Sequence, residues 1–318
     1  MTITNTTIAG LAGSERKMDV RVSVIAQETN ELVQSGLTAT SAEVQALANG
    51  GPRKVTLDYL KPISGEAFNV TTDNINQEGD IGSIEGSTYN AMRLDLNYAL
   101  ATTDLTQIVT QYGKQGDLAT ALAGHRNAIT KSLFFSTLVG ARAALAANTA
   151  ITHTVATDWD MAAIYDAIAT GEEWSSLFNV MAVSHGRYAK LQAKNDGFVA
   201  PSDVNTRFAT YQGFTLLKTN KLTDDEVIVG RTGSVGYGEG TAQQAFEIER
   251  KANGANGGGG DILHSRFSRT IFPQGMSYEG GIPTSAAQVK TVLEAAASWE
   301  QVAPDAQFGF RFISFTGV

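Results

Sequence analysis

The sequence predicts an α+β fold on three observations: two β-alternating limbs flank a Gly-dotted polar stretch, one helical run is unusually long, and a mixed α/β region follows it. The first limb, VTLDYL at 55–60, alternates Val55, Leu57 and Tyr59 with Thr56 and Asp58. The second, AMRLDLNYALA at 91–101, alternates Met92, Leu94, Leu96, Tyr98 and Leu100 with Arg93, Asp95 and Asn97. Between them NQEGDIGSIEGS (76–87) suits a mobile tip. A two-stranded hairpin is marginal in water, so its apolar face needs a surface, either in the same chain or in a neighbouring subunit.

The helical run DLATALAGHRNAITKSLFFSTLVGARAALAAN (117–148) sets Leu118, Leu122, Ile129 and Leu133, and then Phe134, Leu138, Ala141 and Leu145, at helical spacing. At ~1.5 Å per residue it makes a spine about 48 Å long, with Gly124 and Gly140 as weak points or kinks. Ahead of the ribbon, residues 1–50 read as a polar arm with a strand-like piece at Val20, Val22 and Val24 and a helix in SAEVQALAN.

Beyond the spine, Asp158 is placed to cap the helix WDMAAIYDAIAT. LFNVMAVS (177–184) reads as a buried strand, HGRYAKLQAKN as a helix, and GFTLLKT (213–219) and EVIVG (226–230) as strands. AFEIER (245–250) and ILHSRFSRTIF (262–272) read as a strand pair. Ser285 and Gln288 have capping-box spacing before a helix carrying Val289, Val292, Leu293, Ala296 and Trp299. FGFRFISF, with Phe308, Phe310 and Phe312 in alternation, reads as a closing strand.

Bulk composition narrows the function classes. With 24 Lys and Arg against 32 Asp and Glu, the net charge of −8 disfavours gripping a polyanion, although not enclosing one. Hydrophobic residues at 42% with 18% charged argue for a folded chain, and no apolar run has the length of a membrane span. The opening MTITNTTIAGLAGSERK does not read as a secretory signal. The absence of cysteine excludes disulfides and Cys-ligated metal centres.

VMAVSHGRYAKL (180–191) has the outline of a nucleophile elbow around Ser184, and Asp224 or Asp225 with His264 would complete the chain order of a hydrolase triad. Ala182 stands where that turn wants Gly, and no oxyanion segment precedes it, so Ser184 reads better as the cap of the helix starting at His185. GSVGYGEG (233–240) runs into β-like TAQQAFEIER instead of opening a helix, and reads as a turn or loop and not a phosphate cradle. His125, His153, His185 and His264 lack metal-ligand spacing. Glu247 and Glu249 beside Arg250 read as a solvated strand face. No catalytic, cofactor-binding or metal-binding residue is expected.

Four stretches, taken together and in order, carry a resemblance. They are YALATTDLTQIVTQYGKQGDLATALAGHRNAITKSLFFSTLVGARAALAAN, NVMAVSHGRYAKLQAKN, VIVGRTGSVGYGEG with EIERKANGANGGGGDILHSRFSRTIFPQGMSY, and ASWEQVAPDAQFGFRFISF. From about Tyr98 onward the chain resembles tailed-bacteriophage major capsid proteins of the Hong Kong 97-like fold. It departs from that pattern at Phe272-Pro273, where His–Pro is usual, and at Pro304-Asp305, where basic residues are common.

The resemblance implies an N-terminal arm (1–52), an extended β-hairpin loop (53–101), a spine helix of a peripheral domain (102–150), a mixed α/β axial domain (151–260), and a return to the peripheral domain (261–318). It implies a self-assembling subunit that forms pentamers and hexamers of an icosahedral head, encloses double-stranded DNA, and resides in the virion after assembly in the bacterial host cytoplasm. Separate scaffolding, portal and decoration proteins are expected partners, and a membrane is not. Met92, Leu94, Leu96, Tyr98, Leu57 and Tyr59 are the expected subunit contacts. Some relatives cross-link Lys to Asn, yet no motif at Lys54 or Lys61 identifies such a pair. An encapsulin-like nanocompartment, another virion component such as a tail or decoration protein, and a Ser184 hydrolase are the alternatives.

Overall fold

The computed structural model describes residues 30–60, 68–71, 86–103, 115–194, 196–201 and 208–317, with single residues at 22, 24, 73, 76, 78, 79 and 81. In chain order the elements are α1 (Glu31–Gln34), β1 (Thr38–Ala39), α2 (Ala42–Asn49), β2 (Lys54–Leu60), β3 (Gly86–Thr103), α3 (Gln115–Ala144), β4 (Thr152–Val155) and α4 (Met161–Ala169). They continue with β5 (Phe178–Ser184), α5 (His185–Lys194), β6 (Phe198–Val199), β7 (Thr210–Tyr211), β8 (Phe214–Thr219), β9 (Glu226–Arg231), β10 (Val235–Lys251) and β11 (Gly260–Pro273). The last are β12 (Met276–Tyr278), α6 (Ala286–Glu294), β13 (Trp299–Gln301) and β14 (Phe310–Phe315).

FNVMAVS, EVIVGR and FRFISF do not alternate apolar with polar because both faces of their sheet are covered. This sheet has seven strands in the order β4-β14-β9-β5-β8-β7-β6. Side chains of one parity, Val180, Ala182, Ile228, Phe310 and Phe312, join a core with Phe134, Leu138 and Ala141 of α3. Those of the other parity, Met181, Val183, Val227, Val229, Ile313 and Phe315, join a second core with Ile164, Ala167 and Ile168 of α4 and Leu191 of α5. Each such side chain contributes ~1.5–3 kcal/mol when buried.

One polar group interrupts β14. Arg311 is wholly buried, and its guanidinium donates to the carbonyls of Phe308, Phe310 and Asp305 and to Thr170 Oγ1, with the Phe178 ring 5.2 Å away. Burial brings its pKa down to about 10. Hydrogen bonds to four acceptors are what make so costly a burial tolerable.

A second sheet runs β1-β10-β11-β3-β2. The hairpin pairs from Lys54 with Met92 to Leu60 with Gly86, and β11 continues along β3 from Thr270 with Arg93 to Gly260 with Thr103. Only the start of GSVGYGEG is the expected turn, with Gly233 at φ 72°; from Val235 onward the segment is strand β10 of this sheet, correcting the expected loop. Its glycines fall at period two, hence on one face. A Cβ at Gly238 or Gly240 would strike the carbonyl oxygens of Val44 and Ala48, so α2 lies directly on a strand stripped of side chains.

Other expectations shift. β10 pairs in the five-stranded sheet and β14 in the seven-stranded one, so sheet membership changes after Arg231 and returns at Phe310. Asp160, not Asp158, caps α4 by accepting from Ala162 N, while Asp158 accepts from Trp159 N. Residues 22 and 24 are helical, not strand-like; Val20 lies outside the described residues. The second half of the arm leans on the chain's own body, where Leu32, Leu37, Val44 and Leu47 are buried in the main core. Ser285 caps α6 as expected, but the helix ends at Glu294 and Trp299 pairs with Tyr278 in a two-stranded sheet.

The spine α3 runs unbroken through both glycines. Gly140 is there for proximity: a Cβ would overlap Leu293 O and the Trp299 indole, whose Nε1–H donates to that same carbonyl at 2.8 Å. Gly124 meets nothing within 4 Å. We expect Gly140→Ala to lose at least ~2 kcal/mol through overpacking against backbone. Gly124→Ala, by contrast, should gain up to about 1 kcal/mol from helix propensity. Urea denaturation of the unassembled protein measures both, and equal responses would refute the packing role of Gly140.

Candidate subunit interface

The apolar face of the hairpin strands is largely covered by the chain itself. Met92 and Leu94 are 5% and 7% exposed in the main core, against which Leu57 and Leu96 also pack. Tyr59 donates to Val302 O at 3.0 Å and meets Tyr89 edge-on, and Tyr89 in turn leans on Phe272 at 5.4 Å. Tyr98 stays 36% exposed, its ring 4.2 Å from that of His125. Five of the six expected contact residues therefore spend all or much of their apolar surface inside one subunit, and only Tyr98 is left at a rim. The reason is the pairing of β11 with β3, which makes the ribbon an edge of a sheet backed by the body.

Among the described residues, the most exposed large apolar side chains lie further out. Phe68, Val70 and Ile81 are 81%, 74% and 97% exposed, all within the connection between β2 and β3, where Asn69 stands against Gly79. Monomers seldom leave large side chains so open together. The sequence marks 76–87, which holds Ile81, as a polar mobile tip, and Phe68 and Val70 lie ahead of that stretch. The available signal was a few isolated apolar residues among Gly, Asn and acids, which carry no periodicity. A Leu96→Asp change is accordingly a lesion of the fold first.

Ser184 sits at the end of β5 and the start of α5, as the elbow outline requires, but its partners are those of a cap. Its Oγ accepts from Arg187 N at 2.9 Å and donates to Asp224 Oδ1 at 2.5 Å. Lys190 Nζ lies 3.1 Å from Asp224 Oδ2, and Arg187 Nε donates to Asp224 O. His264 belongs to the other sheet, bonded to Glu249 at 3.1 Å, so the serine, acid and histidine are not brought together. The cluster fastens the 222–225 loop onto the head of α5.

The remaining candidates are dispersed. Glu247 pairs with Arg266 at 2.7 Å and Arg250 with Asp261 at 3.0 Å across β10 and β11, a solvated face. Lys54 pairs with Glu279 at 3.5 Å, and Lys61 lies outside the described residues. Among the described residues no group of three or more His, Asp or Glu could hold a metal ion, and no helix is long and apolar enough to cross a membrane.

Asp224 is held below the usual carboxylate range chiefly by the Ser184 hydroxyl, then by Lys190. A depressed folded pKa contributes stability that is complete above the unfolded carboxylate value of ~3.9 and lost as pH falls through the folded one. Ser184→Ala should therefore cost about 1 kcal/mol at neutral pH. It should also move the acid-unfolding midpoint, followed by circular dichroism, to higher pH; an unchanged midpoint would sink the cap-and-clamp role.

No protein-family model matches the chain, and no curated protein does. Solved structures do. The capsid of Ralstonia phage GP4 aligns over 88% of this chain and 87% of its own, with 10% identity and a TM-score of 0.57. Chains of Microbacterium phage Oxtober96 (14% identity, TM-score 0.50, 87% of this chain and 92% of that one) and Mycobacterium phage Bobi (10%, 0.50, 90% and 90%) align similarly. At such identities the likeness is one of fold, and the fold this chain adopts is the α+β Hong Kong 97-like architecture of phage capsids.

Proposed function

We propose that the chain is a major capsid protein, the self-assembling structural subunit of the icosahedral head of a tailed bacteriophage that encloses double-stranded DNA. The observation that carries this reading is the likeness of fold to the Ralstonia phage capsid over 88% of the chain. The exposed apolar tip supports it independently. Burying Phe68, Val70 and Ile81 is worth about 5–9 kcal/mol at ~1.5–3 kcal/mol per side chain, a driving force that association can use.

Tip and body lie at different places on one subunit, so a tip-to-body contact is heterologous and closes into rings when the rotation between copies permits. Pentamers and hexamers are such rings. The role is structural and not enzymatic: Ser184 is a cap, and the acidic surface suits a container that holds nucleic acid without gripping it. The virion is its place, after assembly in the host cytoplasm, and scaffolding, portal and decoration proteins would be separate chains.

Electron microscopy of the purified full-length protein should show closed polyhedra tens of nanometres across, and particles from infected cells should hold nuclease-protected DNA. A protein cargo in place of DNA would identify a nanocompartment, while tubes or surface knobs would identify another virion part. Phe68→Asp combined with Ile81→Asp should abolish shells while leaving the circular dichroism of the subunit unchanged. Normal particles from that variant, seen by light scattering, would refute the tip's role.

A further inference from the structure

We infer that the hollow at the joint of the two sheets is a binding site for a small apolar monocarboxylate, an inference that does not depend on the assembly reading above. The hollow measures about 450 Å³, within the ~300–1,000 Å³ of small-molecule sites. Its walls come from both bodies of the chain. Tyr59 of β2, Tyr89 of β3 and Phe272 of β11 line it from the five-stranded sheet. Arg231, at the end of β9, and Trp174, in the short 3-10 helix Glu172–Leu177 ahead of β5, line it from the side of the seven-stranded one.

Arg231 selects the head of the ligand. Its guanidinium lies over the Trp174 ring, 5.0 Å from the centroid, and among the described residues no hydrogen bond or ion pair reaches its side chain. The buried arginines of the chain show what is missing: Arg311 is laced to carbonyls, Arg269 meets Glu239 at 2.7 Å, and Arg187 donates to Asp224 O at 2.6 Å. Burial holds the pKa of Arg231 below the ordinary arginine value, and Arg311 adds like charge nearby instead of relieving it. A cation taken out of water without a counter-ion is costly, so an anion at this point is favoured. A guanidinium stacked on a ring keeps the N–H groups of its edge, and a carboxylate accepts two of them at once.

The aromatic walls select the body. Tyr89 meets Tyr59 at 6.0 Å and Phe272 at 5.4 Å between ring centroids, so the three rings form one continuous surface. The Tyr59 hydroxyl is already spent on Val302 O, which leaves its ring to the hollow. Such a surface takes a flat or flexible apolar group. Glu43, in the first turn of α2, also lines the hollow; the pKa of Tyr89 is raised by burial and then by the charge of Glu43. That carboxylate repels a second negative charge at its end, which excludes polyanions and leaves a monoanion. A ligand seated in this way touches both sheets and stabilises the arrangement that joins them.

The test titrates the full-length protein with 2-naphthoate and with its neutral counterpart 2-naphthalenemethanol in isothermal titration calorimetry. The wild type should bind both saturably and the acid more tightly. Arg231→Gln should weaken the acid at least about tenfold and leave the alcohol within about twofold, because only the acid uses the guanidinium. Gln307→Glu should act in the same direction and to a similar extent: Gln307 lines the hollow, and Arg231 N donates to the carbonyl of nearby Gly309 at 2.9 Å, so the new carboxylate occupies the guanidinium from within. Where circular dichroism shows Arg231→Gln to be unfolded, Gln307→Glu decides alone. No saturable binding of naphthoate up to ~1 mM, equal losses for acid and alcohol, or unchanged affinity in a folded variant would overturn the inference, and each of these results leaves the capsid reading standing.

Discussion

The fold depends on one strand being able to bury both of its faces. β14 lies between β4 and β9, giving Phe310 and Phe312 to the core under the spine helix and Ile313 and Phe315 to the core under α4 and α5. Without it the seven-stranded sheet would have two open edges facing one another and both cores would lose aromatic mass. Arg311 fits the same constraint: its guanidinium is laced to carbonyls at the strand's entrance and to Thr170 at the end of α4, so the strand is held along its length as well as sideways.

The spine is tied to this arrangement by contact of backbone with backbone. Gly140 brings α3 against the carbonyl that ends α6, and the Trp299 indole closes the gap with a hydrogen bond. α2 uses the same device on β10, where alternate glycines admit the helix. Such seams are short and intolerant of added volume, which favours one well-defined geometry in every copy.

Much of this was legible from residue patterns. Alternation marked β2 and β3, the helical spacing of Phe134, Leu138, Ala141 and Leu145 marked the spine, and unbroken apolar runs marked the buried strands. The failures have physical causes. GSVGYGEG looked like a loop because glycine is a turn former, and only the period-two spacing hinted that a helix would lie upon it. Asp158 and Asp160 both suit a helix start, and cap choice depends on backbone geometry that composition does not encode. An alternating face says that something covers it, not what does: within one subunit β11 and the body cover Met92 and Leu94, and the isolated apolar residues that stay exposed sit where no periodicity announces them.

The position of β14 in the middle of its sheet also orders events in time. Its residues follow those of every other strand in that sheet, and its partner Thr152 lies about half the chain earlier. A nascent polypeptide emerging from the ribosome therefore carries β4 and β9 with a vacant slot between them until the final strand has been made. Since pairing across such a span is slow to close, a partly synthesised chain lacks a finished core, and neither hydrophobic cluster is complete until the last strand has been made.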